Sequence, residues 1–198
     1  MSNIVLKGST SGDVTITVPA EAGSNTLTIP ASTGTMLTTV NPKAGNIIQV
    51  VSTTKTDVFS SSTVDTFVDI TGLSVAITPS ATSSKILILY DIQMSGTEVM
   101  HIQLFRASTA IKIGASDSAN RTECTVGGIF QASNNDKVVV AAGTFLDSPS
   151  TTSATTYKLQ GRVHSSGKTF KVNAPVNDSD AAYTGRGAST ITVMEVAG

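Results

Sequence analysis

Two segments of this chain place apolar side chains at every second position. In residues 85–92 (KILILYDI) Ile, Ile, Tyr and Ile occupy alternate positions, and residues 190–196 (TITVMEV) follow the same period. Successive side chains of a β-strand point to opposite faces, so a period of two is typical of strands. No segment sustains the 3.6-residue period of a helix. The sequence therefore predicts an all-β protein.

The content of serine and threonine supports the same fold class. The chain has 25 Ser and 30 Thr among its 198 residues, more than a quarter of the total. The branched Cβ of Thr suits the pleated surface of a strand, and Ser suits turns. Because 39% of the residues are hydrophobic, the chain can bury a core and is not a disordered tail.

The region from residue 46 to the end is predicted to be one β-domain. Eight or more strands with turn residues between them are typical of a two-sheet antiparallel β-sandwich, here expected to be jelly-roll-like. The predicted strands are residues 47–52, 66–69, 73–78, 85–95, 100–106, 109–113, 125–132, 137–146, 156–164, 169–172 and 189–196.

The first 45 residues contain an internal repeat. Residues 15–23 (TITVPAEAG) are repeated, with substitutions, 11 positions later as residues 26–34 (TLTIPASTG). Each copy is predicted to be a short alternating strand followed by Pro and a turn ending in Gly. Pro has no backbone N–H to donate to the hydrogen bonds between strands, and Gly permits the positive φ that the turn needs. Residues 41–45 (NPKAG) form a turn-rich boundary, so we expect a β-repeat anchor or shaft at 1–45 and a head domain at 46–198.

Two short strands cannot bury an apolar face by themselves, because an isolated hairpin is marginal in water. Stacked neighbours are needed, and only two clear copies of the repeat exist in the chain. We therefore expect an intertwined homotrimer in which the neighbours come from other chains. The alternative is a β-hairpin that folds back onto the C-terminal domain.

Charge and cysteine content exclude several classes of partner. Charged residues are 14% of the chain and the formal net charge is -1, which gives no basic footprint for nucleic acid. The longest apolar runs are strand-sized, so no membrane insertion is expected. Cys124 is the only cysteine, and no secretory signal is expected at the N-terminus, so synthesis in a cytoplasm is predicted.

Chemically reactive residues form no recognisable catalytic or cofactor pattern. The two histidines, His101 and His164, are interpreted as structural or surface residues, because serine is too abundant for a Ser–His–acid pattern to be informative. Residues 177–180 (NDSD) could surround calcium with oxygen atoms, but the EF-hand spacing is missing and turn chemistry is the commoner role. We therefore predict no enzyme activity, no cofactor and no metal.

Recognition by surface loops is the remaining function. Two polar segments contain groups that can hydrogen-bond sugar hydroxyls, and the alternative is that they are simply hydrated loop tips. The candidate receptor-loop residues are Asn134, Asn135, Asp136, Asp178, Asp180, Tyr183 and Arg186.

Segments in both parts of the chain carry a resemblance to known proteins. In the N-terminal segment these are residues 8–16 (GSTSGDVTI) and 30–37 (PASTGTML), and in the head they are residues 67–75 (FVDITGLSV), 83–87 (SSKIL), 145–149 (FLDSP) and 186–195 (RGASTITVME). In these segments the chain resembles tail-fibre and other virion fibre proteins of marine and freshwater (cyanophage-like) bacteriophages. The resemblance implies homotrimers with β-sandwich heads about a threefold axis, and an N-terminal segment attached to another virion protein of the tail, baseplate or capsid.

That resemblance implies a structural protein of the virion. The first expectation is a trimeric tail fibre that attaches the particle to a host-surface glycan. The alternative is a capsid decoration, cement or head-fibre protein that stabilises the shell. A polysaccharide depolymerase is disfavoured, because the sequence shows neither a long β-helix nor a carboxylate-rich groove.

Overall fold

A computed structural model describes residues 4–17, 23–24, 26, 42–116, 120–129 and 135–198. Within these ranges every regular element is a β-strand, which confirms the all-β prediction. Among the same residues no helix long and apolar enough to cross a membrane is found. The chain divides into two compact units, Met1–Met36 and Leu37–Gly198.

The first unit contains an antiparallel hairpin of β1 (Ile4–Lys7) and β2 (Asp13–Ile16). A tight turn joins the strands, in which the Gly8 N–H donates to the Gly12 carbonyl at 2.8 Å and Gly12 has a φ of 80°. β2 overlaps the start of the first repeat copy, but it pairs with an upstream strand that the alternation pattern did not predict. Most of the second copy, residues 27–34, lies outside the described residues.

In the second unit, one sheet has six strands. Its order is β3-β13-β6-β12-β4, and β10 pairs with the opposite edge of β6. The strands are β3 (Ile47–Lys55), β4 (Phe59–Ser61), β6 (Lys85–Gly96), β10 (Val139–Asp147), β12 (Phe170–Val172) and β13 (Ser189–Val196). All pairings are antiparallel.

The other sheet has five strands in the order β5-β11-β7-β8, with β9 also paired to β7. These strands are β5 (Val68–Ile77), β7 (Met100–Arg106), β8 (Thr109–Ile111), β9 (Val126–Ile129) and β11 (Thr155–Val163). Their pairings are antiparallel as well. β3 of the first sheet also contacts β5 of the second.

The core lies between the two sheets. Ile86, Ile88 and Ile92 of β6 are buried in one cluster with Leu104 of β7 and Leu159 of β11. These positions follow the period of two, so each strand sends alternate side chains into the same interior. The arrangement is an antiparallel two-sheet fold like a sandwich, while the jelly-roll winding and the threefold assembly remain predictions.

Two details of the predicted strands are wrong. The two predicted strands 66–69 and 73–78 are replaced by the single strand β5 (Val68–Ile77), whose pairing with β11 shifts register between Asp69 and Ser74. Gly72, with a φ of 87°, lies in this bulge. No strand was predicted between residues 52 and 66, but Phe59–Ser61 form β4, because pairing with β12 satisfies their backbone.

Candidate recognition surface

A long irregular segment, residues 173–188, connects β12 to β13, which are both strands of the first sheet. β12 ends opposite Met94 and β13 begins opposite Asp91, so both strands lie on the same edge of β6. The connection between them therefore begins and ends beside residues 91–94 of β6. We call this segment, together with residues 135–136, the loop platform.

Asn173 lies at the base of the loop platform and is completely buried. Its side-chain amide donates to the carbonyl oxygens of Lys55 at 2.8 Å and Asp57 at 3.0 Å. Its Oδ1 accepts a hydrogen bond from Ser189 Oγ at 2.6 Å. The backbone φ of 66° is left-handed, a conformation in which Asn is more frequent than most residues. One residue thus joins the start of the segment, its end and β3.

The backbone of Asn173 completes this junction. Its N–H donates to the Gln93 carbonyl at 2.8 Å, and its own carbonyl accepts from the Gly187 N–H at 3.2 Å. The Gln93 N–H donates to Ser189 Oγ at 2.9 Å. Asn173 was not among the predicted residues, and the only signal for it in the sequence is an Asn directly after a predicted strand and before an irregular stretch.

The structure brings together the two loops that contain the candidate receptor residues. The Asn177 N–H donates to the carbonyl of Asn135 at 2.8 Å, and Asn177 Nδ2 donates to Asp136 Oδ1 at 2.8 Å. Asn177 was not among the predicted residues. Asn134, the remaining candidate in the first loop, lies outside the described residues.

Arg186 and Asp178 form a bidentate ion pair within the platform. Arg186 Nε donates to Asp178 Oδ1 at 3.1 Å and Nη2 donates to Oδ2 at 2.8 Å. The hydrogen bonds from Arg186 lower the pKa of Asp178, and the partnership raises the pKa of Arg186. Both oxygens of Asp178 accept hydrogen bonds from the Arg186 guanidinium, so the ion pair within this turn explains the position of the carboxylate.

Beside this pair the platform forms a hollow of about 460 Å³. Asp180 and Arg186 line it, and Thr184 Oγ1 lies 2.6 Å from the Ser179 carbonyl, which closes the turn beneath it. Tyr183 is on the same segment and is 71% exposed. The platform therefore presents a fixed guanidinium, a carboxylate and a phenol to solvent, groups that can exchange hydrogen bonds with hydroxyls.

The two histidines lie on the other sheet. His101 is half-buried on β7, and its pKa is lowered, first by burial and then by the positive charge of Arg162. His164, just after β11, is exposed, and its Nδ1 lies 3.2 Å from Asp65 Oδ1. In the part of the chain that is described, no group of three or more His, Cys, Asp or Glu side chains is arranged to hold a metal ion.

Comparisons with known proteins give only distant structural likenesses. No protein-family model and no curated protein matches the sequence. The structure of the infectious bursal disease virus Gt strain aligns with a TM-score of 0.42 at 12% identity, covering 98% of this chain and 46% of that chain. T=1 particles derived from the same virus align with a TM-score of 0.41 at 12% identity, covering 94% and 43%.

The structure of the Gx strain of that virus aligns with a TM-score of 0.36 at 14% identity, covering 87% of this chain and 46% of that chain. This chain therefore spans less than half the length of the solved chains it matches. At these values the likeness assigns neither a family nor a function.

Proposed function

We propose that this protein is a non-enzymatic structural protein of a virus particle, a trimeric tail fibre that attaches the particle to a glycan on the host surface. The observation that carries the proposal is the exposed apolar face of the N-terminal hairpin, as the described residues show it. Ile4 pairs with Ile16 and Leu6 pairs with Val14, so these four side chains lie on one face.

The exposed fractions of these four side chains run from 40% to 64%. The opposite face is more polar, with Lys7 and Asp13 forming an ion pair at 3.1 Å. Burying a large apolar side chain contributes about 1.5–3 kcal/mol, so covering four half-exposed ones contributes about 3–6 kcal/mol per chain. Copies of the same hairpin around an axis would supply that cover, which supports an N-terminal anchor made by several chains.

The loop platform supports the attachment role. It is a surface built from two loops that are distant in sequence and held at its base by a buried amide, while its polar groups remain exposed. Binding sites are often loops positioned by a rigid scaffold. We propose that Asp180, Tyr183 and Arg186 contact sugar hydroxyls.

The trimer is tested by measuring the molar mass of the full-length protein in solution. We expect three times the 20.3 kDa of the chain, and Leu6→Asp should shift the protein to monomers because it charges the apolar face. Thr15→Asp, on the polar face of the same hairpin, is the matched control and should leave the trimer intact. A stable wild-type monomer would refute the trimer.

Attachment is tested with particles that carry the double variant Tyr183→Ala and Arg186→Ala. We expect adsorption to host cells to fall as far as it does in particles that lack the protein. Lys43→Ala, an exposed change in the segment before β3, is the control and should adsorb normally. Normal adsorption of particles without the protein would remove the receptor-binding role.

A capsid decoration role is the second candidate, and the outer face of the first sheet favours it. Val50, Met194, Leu87 and Leu146 lie side by side across four strands and form an apolar row. Val50 and Leu146 are exposed. Such a face suits a protein that lies against a shell, so particles lacking the protein should then lose DNA or dissociate at a lower temperature, with unchanged adsorption.

A further inference from the structure

A second polar cleft, on the five-stranded sheet, contains none of the loop-platform residues. It has a volume of about 660 Å³ and lies where β11 ends. This size falls within the range of about 300–1,000 Å³ typical of small-molecule sites. The residues that carry its chemistry are Asp65, Phe67, Thr122, Glu123, Arg162 and His164.

Arg162 forms the floor of the cleft, and its guanidinium is held from three sides. Nη1 pairs with Asp65 Oδ1 at 3.3 Å, Nη2 donates to Thr122 Oγ1, and the group lies 5.5 Å from the centre of the Phe67 ring. The side chain is only 12% exposed. A guanidinium has five N–H donors, so these contacts fix its orientation while leaving Nη hydrogens for a ligand.

Asp65 forms one wall and has an unusual backbone. Its φ of 53° is left-handed, and its N–H donates to the Val163 carbonyl at 3.0 Å, which holds it in place. Arg162 and His164 both contact Oδ1 of this carboxylate, at 3.3 and 3.2 Å, while the side chain remains 55% exposed. These contacts give the Asp65 carboxylate a fixed position in the lining of the cleft.

Glu123 also lines the cleft. Its Oε1 accepts from the Ser116 N–H at 3.3 Å, and its carbonyl accepts from Gln103 Nε2 at 2.7 Å. The cleft lining thus contains two carboxylates and a fixed guanidinium. Arg121 and Arg162 balance the formal charges of Asp65 and Glu123, so the lining has both donors and acceptors without a net charge.

We propose that this cleft is a binding site for an uncharged saccharide. Sugar hydroxyls act as donors and acceptors at once, which matches carboxylates that accept and a guanidinium that donates. Asp65 and Glu123 both line the cleft, and repulsion from their negative charges disfavours an anionic ligand. The proposal does not depend on the virion role, because it uses no residue of the loop platform.

The test is saturation-transfer NMR of the full-length protein with uncharged disaccharides of glucose, galactose and mannose. We expect at least one to bind, and Asp65→Asn to weaken that binding by about tenfold or more, since hydrogen bonds to a charged group are the stronger ones. Asn tolerates the left-handed conformation, so the variant should keep its fold. Asp13→Asn in the N-terminal hairpin, where the carboxylate pairs with Lys7 and belongs to neither the cleft nor the loop platform, is the matched control and should bind as the wild type does.

If circular dichroism shows that Asp65→Asn is unfolded, Glu123→Gln in the same cleft lining takes its place with the same expectation. Binding that survives both substitutions would place the sugar elsewhere and overturn the proposal. So would a wild-type protein that binds no uncharged disaccharide, or that binds only sialylated or sulfated sugars.

Discussion

Substitution of Asn173 tests whether one buried side chain holds the base of the loop platform. Its side chain makes three hydrogen bonds, to the carbonyls of Lys55 and Asp57 and with Ser189 Oγ. At a net value of about 1 kcal/mol each, their loss costs about 3 kcal/mol. Alanine also has to adopt a φ of 66°, which adds about 1–2 kcal/mol. Asn173→Ala should therefore lower the free energy of unfolding by about 4–5 kcal/mol.

A second variant separates the two contributions. Asn173→Gly loses the same hydrogen bonds but tolerates the left-handed backbone, so it should cost about 1–2 kcal/mol less than alanine before the entropy of glycine is counted. Urea unfolding followed by circular dichroism measures both values. Hydrogen exchange on the same proteins should show faster exchange in residues 173–188, with the amides of β11 unchanged at low denaturant.

The result that would refute this reasoning is a small effect. If Asn173→Ala costs less than about 1 kcal/mol, the three hydrogen bonds are not the anchor of the segment. If glycine is more damaging than alanine, the left-handed backbone at this position contributes nothing.

Two further predictions concern buried acidic residues. Tyr157→Phe removes the hydroxyl that donates to buried Asp147 at 2.7 Å, and should cost about 1–3 kcal/mol in urea unfolding. Burial opposes ionisation of Glu195, but hydrogen bonds from Gln49 and Ser80 outweigh it and lower its pKa from 4.5. Its stabilisation is therefore complete above pH 4.5 and is lost as pH falls through the lower folded-state pKa, and Glu195→Gln should remove that part of the pH dependence.

Matched changes outside the core provide the controls for these two predictions. Tyr183→Phe alters an exposed phenol and should change the free energy of unfolding by less than about 0.5 kcal/mol. Glu98→Gln alters a carboxylate whose only ion pair, among the described residues, is at 4.0 Å with Lys168, and should keep the acid dependence of the wild type. If the acid transition is identical with and without Glu195, this carboxylate does not contribute to the pH dependence of stability, and the prediction is wrong.

Much of the strand pattern follows from local sequence. β7 and β13 have the predicted bounds of 100–106 and 189–196, because apolar residues recur at alternate positions and become buried on one face, as at Ile102 and Leu104 of β7 and Ile191 and Val193 of β13. β4 was not predictable from local sequence, because a Ser-rich segment has no alternation of apolar and polar residues and becomes a strand only when β12 pairs with it. Tertiary pairing overrides local preference at such edges.

The candidate recognition surface was predicted only in pieces. The polar turn at 134–136 and the segment at 178–186 were each recognisable as loops, but nothing in their composition indicated that they meet. Their contact through Asn177 and Asp136 spans 41 residues of sequence. It depends on β10, β12 and β13 all pairing with β6, which no local pattern encodes.

The all-β character of this protein was decided by local chemistry, because branched side chains and a period of two leave few other conformations open to the backbone. The meeting of Asp65, Arg162 and His164, and the burial of Asn173, were decided by the packing of strands far apart in sequence. The tertiary structure determines the hydrogen-bond partners of buried polar groups, because each such group needs a partner at the position where the fold places it.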